Sequence, residues 1–172
     1  MNRSEIVNAL INHHTQFTRT LLAMPNDEVQ RSLNGKWSPA QLLDHIEKSV
    51  SPVRMAFSLP NVVLKLRFGS SNRPSRTYEA LVEKYHAKLS AGGRASGAFI
   101  PSSTVDVKGQ SEKLLHLVNS LSSKIGSYSE EQLDLLLLPH PLLGKLTLRE
   151  MLYFTIYHVQ HHHAQLTSRN AA

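Results

Sequence analysis

Four segments of this 172-residue chain repeat apolar residues at spacings of three and four, and this periodicity constrains the fold more than any other feature. It is the pattern of a helix that buries one face. The first segment runs from about Asn2 to Met24, and Pro25 ends it. Its stripe comprises Ile6, Leu10, His13, Phe17, Leu21 and Met24. His13 is therefore predicted to face the core, with His14 at the border of the stripe.

Two of the segments begin at strong helix-start signals. Ser38-Pro39-Ala40-Gln41 gives the second helix a serine N-cap, a proline at the first helical position and a glutamine at the third. Thr147-Leu148-Arg149-Glu150 is a capping box that opens the last helix, which runs to about Ser168. Pro52 lies inside the second pattern and is predicted to kink or shorten that helix. The third helix is expected at about 109–125.

The stretch from Leu59 to Pro101 has weaker signals and separates the second helix from the third. Two breaker-rich segments, RFGSSNRPSR and SAGGRASGAF, flank TYEALVEKYHAKL, which predicts a shorter helix. A helical turn is expected from Ser129, and HPLLGKL is predicted to be a loop. The predicted fold class is all-α. It is a four-helix bundle with a long, partly helical crossover between helices two and three, in a single domain spanning residues 1–172.

The composition restricts both the chemistry and the partners. The chain has no cysteine, so disulfides, thiolate ligands and a cysteine nucleophile are excluded, and a metal site would have to use His, Asp, Glu or water. No apolar run approaches the roughly 18 residues that a membrane span needs. The first residues also lack the features of a signal peptide. These observations predict a cytoplasmic protein without a membrane partner.

The net charge of +6 is concentrated in the middle of the chain. Eight Lys/Arg and two Glu lie between Arg54 and Arg94 and account for the whole excess. This basic segment is either a solvated connection or a means of attracting an anionic cosubstrate, through side chains such as Arg67, Arg73 or Arg76. No nucleic-acid-binding motif accompanies it, so nucleic acid is not predicted as a partner.

The sequence HVQHHHAQL, residues 158–166, places four histidines on the last helix. A helical wheel puts His158 and His162 on the core stripe, one turn apart, where both can reach one metal ion. His161 lies on the flank of the stripe as a substitute ligand, and His163 is expected to face outward. Gln165 continues the stripe and is a candidate contact of a ligand or of the substrate.

A tight metal site needs a third protein ligand, which must come from another helix. His45, at the edge of the apolar arc of the second helix, fits best, and His13 is the rival. Without a metal, the same histidines would be core residues that hydrogen-bond to other groups. A bundle that holds a haem between two histidines is a further alternative. No role is assigned to His86, His116 and His140.

Two parts of the sequence, taken together and in order, resemble the DinB/YfiT-like superfamily of four-helix-bundle metalloenzymes. Trp37-Ser38-Pro39, followed by Leu42-Leu43-Asp44-His45, is similar to the start of the second helix of that superfamily. HPLLGKLTLREMLYFTIYHVQHHHAQL is similar to its last helix and the segment before it. These motifs occupy residues 36–46 and 140–166.

The resemblance implies a bundle of unusual connectivity with a metal site formed by His45, His158 and His162. The ion would be divalent, zinc or nickel first, with iron, manganese or copper as alternatives. The implied function is a metal-dependent, transferase-like enzyme that activates a thiol cosubstrate or water, acts on a small molecule and forms a homodimer. The alternative is a metal-binding structural or sensory module without catalysis.

Overall fold

Four long helices form a bundle in the computed structural model, which describes residues 1–33 and 35–169. The helices are α1 (Arg3–Leu22), α2 (Asn26–Gln30), α3 (Pro39–Ala56), α4 (Asn61–Phe68), α5 (Tyr78–Ser90), α6 (Val107–Ile125), α7 (Glu130–Leu135) and α8 (Leu148–Arg169). The long helix α6 packs between α1 and α3, and α8 closes the bundle against both. The predicted four-helix bundle is confirmed.

The helix starts follow the signals in the sequence. The Ser38 hydroxyl accepts from the backbone N–H of Gln41, and the Gln41 side chain accepts from the backbone N–H of Ser38. Thr147 and Glu150 exchange the same pair of hydrogen bonds at the start of α8. Each pair satisfies backbone donors that have no partner inside the helix. Pro52 does not shorten α3, which continues to Ala56.

The crossover between α3 and α6 contains more helix than the sequence indicates. The predicted shorter helix is α5, which packs on α8. A further helix, α4, begins directly after Pro60, and Leu64 is its one buried residue. At eight residues, α4 spans only about two turns, which is too short for the spacing of apolar residues to repeat and reveal it.

HPLLGKL is part of a small antiparallel hairpin, and the predicted loop is wrong. Strand β1 (Leu137–His140) pairs with strand β2 (Gly144–Thr147), with Leu137 opposite Thr147. Gly144 has a φ of 76°, which glycine adopts more easily than other residues. The strands are four residues long and β1 contains a proline, so neither shows the alternation that identifies longer strands. The hairpin delivers the chain into α8.

The buried face of α1 is rotated from the prediction. His14 is fully buried, whereas His13 is only partly buried and its Nε2 lies 2.7 Å from the amide nitrogen of Gln160. The buried face runs from Leu10 to His14, four residues later, and then to Phe17, three residues later. The prediction places His13 between Leu10 and Phe17, at spacings of three and four. Both spacings are compatible with a helix, so the apolar pattern alone does not choose between them.

The hydrophobic core is continuous through the bundle and extends under α5, α7 and the hairpin. Among residues 1–33 and 35–169, no helix is both long and apolar enough to cross a membrane.

Candidate metal centre

Three buried histidines from two helices meet at one point of the bundle. His45 lies on α3, and His158 and His162 lie one turn apart on α8. The Nε2 atom of His158 is 3.1 Å from the Nε2 atom of His45 and 3.1 Å from that of His162. These three residues are the ones that the helical wheel and the resemblance single out. We call them the triad.

Hydrogen bonds on the far side of two of these rings fix which nitrogen carries the proton. The Nδ1 atom of His45 donates to the carbonyl oxygen of Phe99 at 2.7 Å. The Nδ1 atom of His162 lies 3.0 Å from the amide oxygen of Gln165, whose amide nitrogen faces His161. Since both Nδ1 atoms donate, the Nε2 atoms of His45 and His162 are bare acceptors in the neutral rings.

The triad therefore has more lone pairs than protons at its centre. A neutral His158 can place one N–H between the two bare acceptors and cannot fully satisfy both of them. Protonation does not solve the problem, because burial lowers the pKa of all three rings. Burial, followed by the nearby His45, lowers the pKa of His162 to about 3, and burial also holds the pKa of His158 well below its ordinary value. A buried lone pair without a donor is costly.

A divalent cation fits this donor set. Nitrogen–zinc bonds of about 2.0–2.1 Å in a tetrahedral site hold the ligand nitrogens about 3.3–3.4 Å apart, close to the 3.1 Å from His158 to His45 and to His162. One ion would accept all three lone pairs and keep a position open for another ligand. Among residues 1–33 and 35–169, the triad is the one group of three or more His, Cys, Asp or Glu side chains that converges in this way. A haem does not fit, because nitrogens 3.1 Å apart leave no gap for a porphyrin between them.

The other candidate ligands lie outside the triad. His13, the rival of His45, faces Gln160 instead. The Nε2 atom of His161, the proposed substitute, accepts from Gln165. His163 is partly exposed and pairs with the Thr20 hydroxyl at 2.8 Å. The run of histidines in HVQHHHAQL thus divides by helical position into two triad members and two residues with other partners.

Gln165 contacts the triad from outside the core. The side chain is exposed, so the prediction that it continues the buried stripe is wrong. Its hydrogen bond to His162 nevertheless fulfils the predicted contact with a triad residue. Asp44, which precedes His45 in the sequence, has other partners: it accepts from the backbone N–H of Ser102 and pairs with Lys48 at 2.7 Å.

A cavity of about 330 Å³ adjoins the triad, with His45 and His158 in its wall. Four aromatic residues contribute to the lining: Phe68, Tyr85, Phe99 and Phe154. The Phe154 ring stacks on His158 with centroids 4.9 Å apart and an angle of 25° between the planes. A small molecule in this cavity would lie directly beside the triad.

The basic segment contributes to this cavity through a residue that the sequence did not single out. Arg73 and Arg76 pair with Glu150 and do not line the cavity, so they do not fit the predicted role of steering an anion to the site. Arg67 is exposed, and its guanidinium lies 5.6 Å from the centre of the Phe68 ring. Arg94 is the arginine in the cavity wall.

Two further residues contribute to the site without a sequence pattern that predicts their role. Phe99 offers its backbone carbonyl to His45 from a 3-10 turn (Gly97–Phe99), and a carbonyl is invisible in a sequence pattern. His140 lies on β1 in the cavity wall, with its ring centre 4.2 Å from that of Phe154. Its place in the motif HPLLGKL, which aligns with the resembled family, was the one available hint.

Comparisons with known proteins agree with this architecture. The family model of the DinB superfamily matches residues 9–166. No curated protein sequence matches the chain. Among solved structures, the chain is similar to YfiT from Bacillus subtilis, described as a probable metal-dependent hydrolase with an unusual four-helix bundle topology. The TM-score is 0.66 at 17% sequence identity, over 98% of this chain and 87% of that one.

Proposed function

Because the chain belongs to the DinB superfamily, we propose that it is a metal-dependent enzyme whose divalent ion is held by His45, His158 and His162. The observation that carries this proposal is the convergence of three Nε2 atoms, two of them bare acceptors. When bound, a divalent ion supplies Lewis acidity that makes a coordinated thiol or water a stronger acid.

The side chains around the triad support an active site more than a purely structural ion. A structural zinc site is closed by four protein ligands, whereas the triad offers three and adjoins a cavity. Phe154 fixes the orientation of the His158 ring by stacking on it, and the carbonyl of Phe99 fixes that of His45. The aromatic lining also excludes water from around a bound substrate.

A thiol cosubstrate suits this cavity better than water as the nucleophile. No Asp or Glu from the described part of the chain lines the cavity, so no carboxylate is placed to remove a proton. A thiol, with an ordinary pKa of about 8.5, needs less help in losing its proton than water, with a pKa of about 15.7. The thiol must come from another molecule, because the chain has no cysteine. We therefore propose thiol transfer to a small molecule as the reaction class.

Hydrolysis is the second candidate, and one observation favours it. The structural relative YfiT is described as a probable metal-dependent hydrolase. Assays on the metal-loaded protein distinguish the two reactions. Turnover of an electrophilic small molecule that requires an added low-molecular-weight thiol supports transfer, and thiol-independent turnover of an ester or amide supports hydrolysis. Metal binding without either activity would favour the non-catalytic module.

Metal titration tests the site itself. The protein, stripped with a chelator, is titrated with zinc and with nickel by calorimetry. Fluorescence of Trp37, the one tryptophan of the chain, is followed in parallel because its ring centre lies 5.0 Å from that of His45. We expect one ion per chain, and loss of binding when His158→Ala and His162→Ala are combined.

His163→Ala is the matched control for that titration, since it removes a neighbouring histidine that pairs with Thr20 instead. It should bind metal like the wild type. If the wild type takes up no ion, or if the double variant binds as well as the wild type, the triad is not a metal site.

The homodimer and the cytoplasmic location remain proposals that rest on the resemblance and on the sequence pattern. A light-scattering mass of two chains would support the dimer, and a mass of one chain would refute it.

A further inference from the structure

The few polar side chains in the mainly apolar wall of the cavity indicate which class of compound it binds. Most of the lining is apolar or aromatic, with Pro52, Val53, Leu89, Leu138 and Met151 beside the four aromatic rings. Arg94 is the one charged side chain that the described residues contribute to this lining. The cavity therefore combines a large apolar surface with a single positive charge and no negative one.

Arg94 is available to a ligand. The side chain is exposed, and it forms no ion pair with the acidic side chains of residues 1–33 and 35–169. This distinguishes it from Arg73 and Arg76, whose charges Glu150 compensates. An unpaired guanidinium beside an apolar cavity favours a carboxylate, which it binds through two parallel hydrogen bonds.

His140 supplies a second donor in the wall of the same cavity. Its Nδ1 atom accepts from the backbone N–H groups of Leu142 and Leu143, at 3.1 and 3.0 Å. The proton of the neutral ring therefore sits on Nε2, for which the described part of the chain offers no oxygen or nitrogen acceptor. Burial, and after it the charge of Lys84, lowers the pKa of His140 to about 4, so the ring stays neutral in this tautomer at physiological pH.

Packing brings the Arg94 segment and the His140 turn together. A Cβ atom built on Gly93 would meet the Leu142 side chain at 2.6 Å, so the backbone before Arg94 lies against the turn that follows His140. The segment that carries Arg94 therefore adjoins the turn after His140, and both residues lie in the wall of the cavity that His45 and His158 also line. A ligand that binds both would extend its apolar body along the aromatic lining.

We propose that this cavity binds an aromatic or other hydrophobic compound that carries one carboxylate, with Arg94 pairing the carboxylate and the His140 Nε2–H donating to one of its oxygens. The proposal names the substrate class of the site described above. It rests on the proposed function only in assigning this cavity to the substrate.

Binding of a matched pair of compounds tests the proposal. The probes are 4-phenylbutyrate and its uncharged amide, titrated by calorimetry into the metal-free protein and into the zinc-loaded protein. We expect the carboxylate to bind about tenfold more tightly than the amide in both forms, the magnitude of a charge-assisted hydrogen bond. Arg94→Gln should abolish that preference and leave the affinity for the amide unchanged.

Arg67→Gln is the control, because it removes an equal charge from the same basic segment at a position outside the cavity wall. It should keep the preference. His140→Phe keeps a ring against Phe154 and removes the N–H, so it should weaken both probes severalfold. Thermal melting of each variant verifies that it is folded.

Three results would overturn the proposal. These are equal affinity for the two probes, a preference that survives Arg94→Gln, and no binding of either probe at millimolar concentration. A preference that appears only in the zinc-loaded protein would also overturn it, because the ion and not Arg94 would then hold the carboxylate. If the protein binds no metal but keeps the preference without it, the metal proposal fails and this one stands.

Discussion

The two halves of α8 bury polar groups in opposite ways. At its first turn, the carboxylate of Glu150 is fully buried and surrounded by donors. Arg73 donates to it from its two terminal guanidinium nitrogens at 2.6 and 2.9 Å, and Arg76 from its side chain and backbone at 3.1 and 2.8 Å. Two turns later, His158 joins a triad with no carboxylate and too few protons.

Arg149 adds further ion pairs to the first half of α8, where opposite charges compensate one another. Its guanidinium binds Asp134 at 2.6 Å and Glu130 at 2.7 Å, next to the Glu150 group. In this half, which we call the ion-pair hub, every charge named here has an opposite charge from the same chain. The difference between the halves indicates their roles. The hub is complete within the protein and holds the crossover on α8, whereas the triad keeps more lone pairs than its own protons can satisfy.

Glu150→Gln should produce the largest effect and would test whether the hub is structural. The variant leaves Arg73 and Arg76 without a counter-charge in a part-buried place, which typically costs about 3–5 kcal/mol of unfolding free energy. Urea unfolding at pH 7 measures it. Glu131→Gln, at an exposed position on α7, is the control and should leave the midpoint unchanged. A loss below about 1 kcal/mol would mean that the hub does not hold the fold together.

The same variant gives a pH signature. Hydrogen bonds from Arg73, Arg76 and Thr147 hold the pKa of Glu150 at about 2, against an ordinary value of 4.5, although burial alone would raise it. A lowered pKa stabilises the fold above the unfolded-state value, and this stabilisation is lost as the pH falls towards the folded-state value. Wild type and Glu150→Gln should therefore converge in stability between about pH 4.5 and pH 2. A constant difference across that range would contradict the assignment.

His162→Leu should separate binding from stability. Without metal, it removes one of the two bare acceptors, and His158 can then donate to His45 alone, so the unfolding free energy should stay within about 1 kcal/mol of the wild type. At a free zinc concentration of about a hundred times the Kd, zinc should stabilise the wild type by about 2.7 kcal/mol and should not stabilise the variant. Thermal melts with and without zinc measure both. A large loss in the metal-free variant would show that the triad is a second structural hub.

Gln165→Ala should have a moderate effect that is confined to the metal. The hydrogen bond from the Nδ1–H of His162 to the Gln165 amide oxygen holds His162 in the tautomer with a bare Nε2, and loss of such a contact weakens metal binding by about 10-fold or more. Gln165→Glu keeps an acceptor at that position and should retain the affinity. Both are measured by competition with a metal-binding dye. Equal affinity of all three proteins would show that Gln165 does not set the tautomer.

Thr147→Ala should give the smallest effect, and it tests whether the two halves of α8 act independently. It removes the N-cap of α8 and a hydrogen bond to Ser75, at a cost of about 1 kcal/mol. Thr147 lies about 16 Å along the helix axis from His158, so the metal affinity should not change. Calorimetric titration with zinc measures the affinity. Weaker zinc binding in the variant would mean that the two halves of α8 are coupled.

The sequence allowed prediction of those parts that leave a periodic or capping signal. The four long helices and the convergence of His45 with His158 and His162 follow from spacings of three and four and from the family motif. The choice between His13 and His14 did not follow, because Leu10 is separated from them by three and four residues respectively. The assignment of His45, His158 and His162 as metal ligands remains a prediction.

Contacts between distant residues left no such signal. Glu150 was visible as a capping residue, but its partners Arg73 and Arg76 lie 77 and 74 positions earlier in a segment without periodicity. The carbonyl of Phe99 lies 54 positions from His45, and any residue type supplies a carbonyl. These pairings depend on how the crossover folds back over the bundle, which local patterns do not encode.

The hydrogen bond from His45 to Phe99 links the proposed metal site to the crossover. Local opening of the turn at Gly97–Phe99 would release the His45 ring and let its proton move to the other nitrogen, so the open state should bind metal more weakly. By reciprocity, a bound ion must make that opening rarer. Amide exchange and protease cleavage in this segment should then slow when metal is added. Metal binding would thus make this part of the cavity wall more rigid.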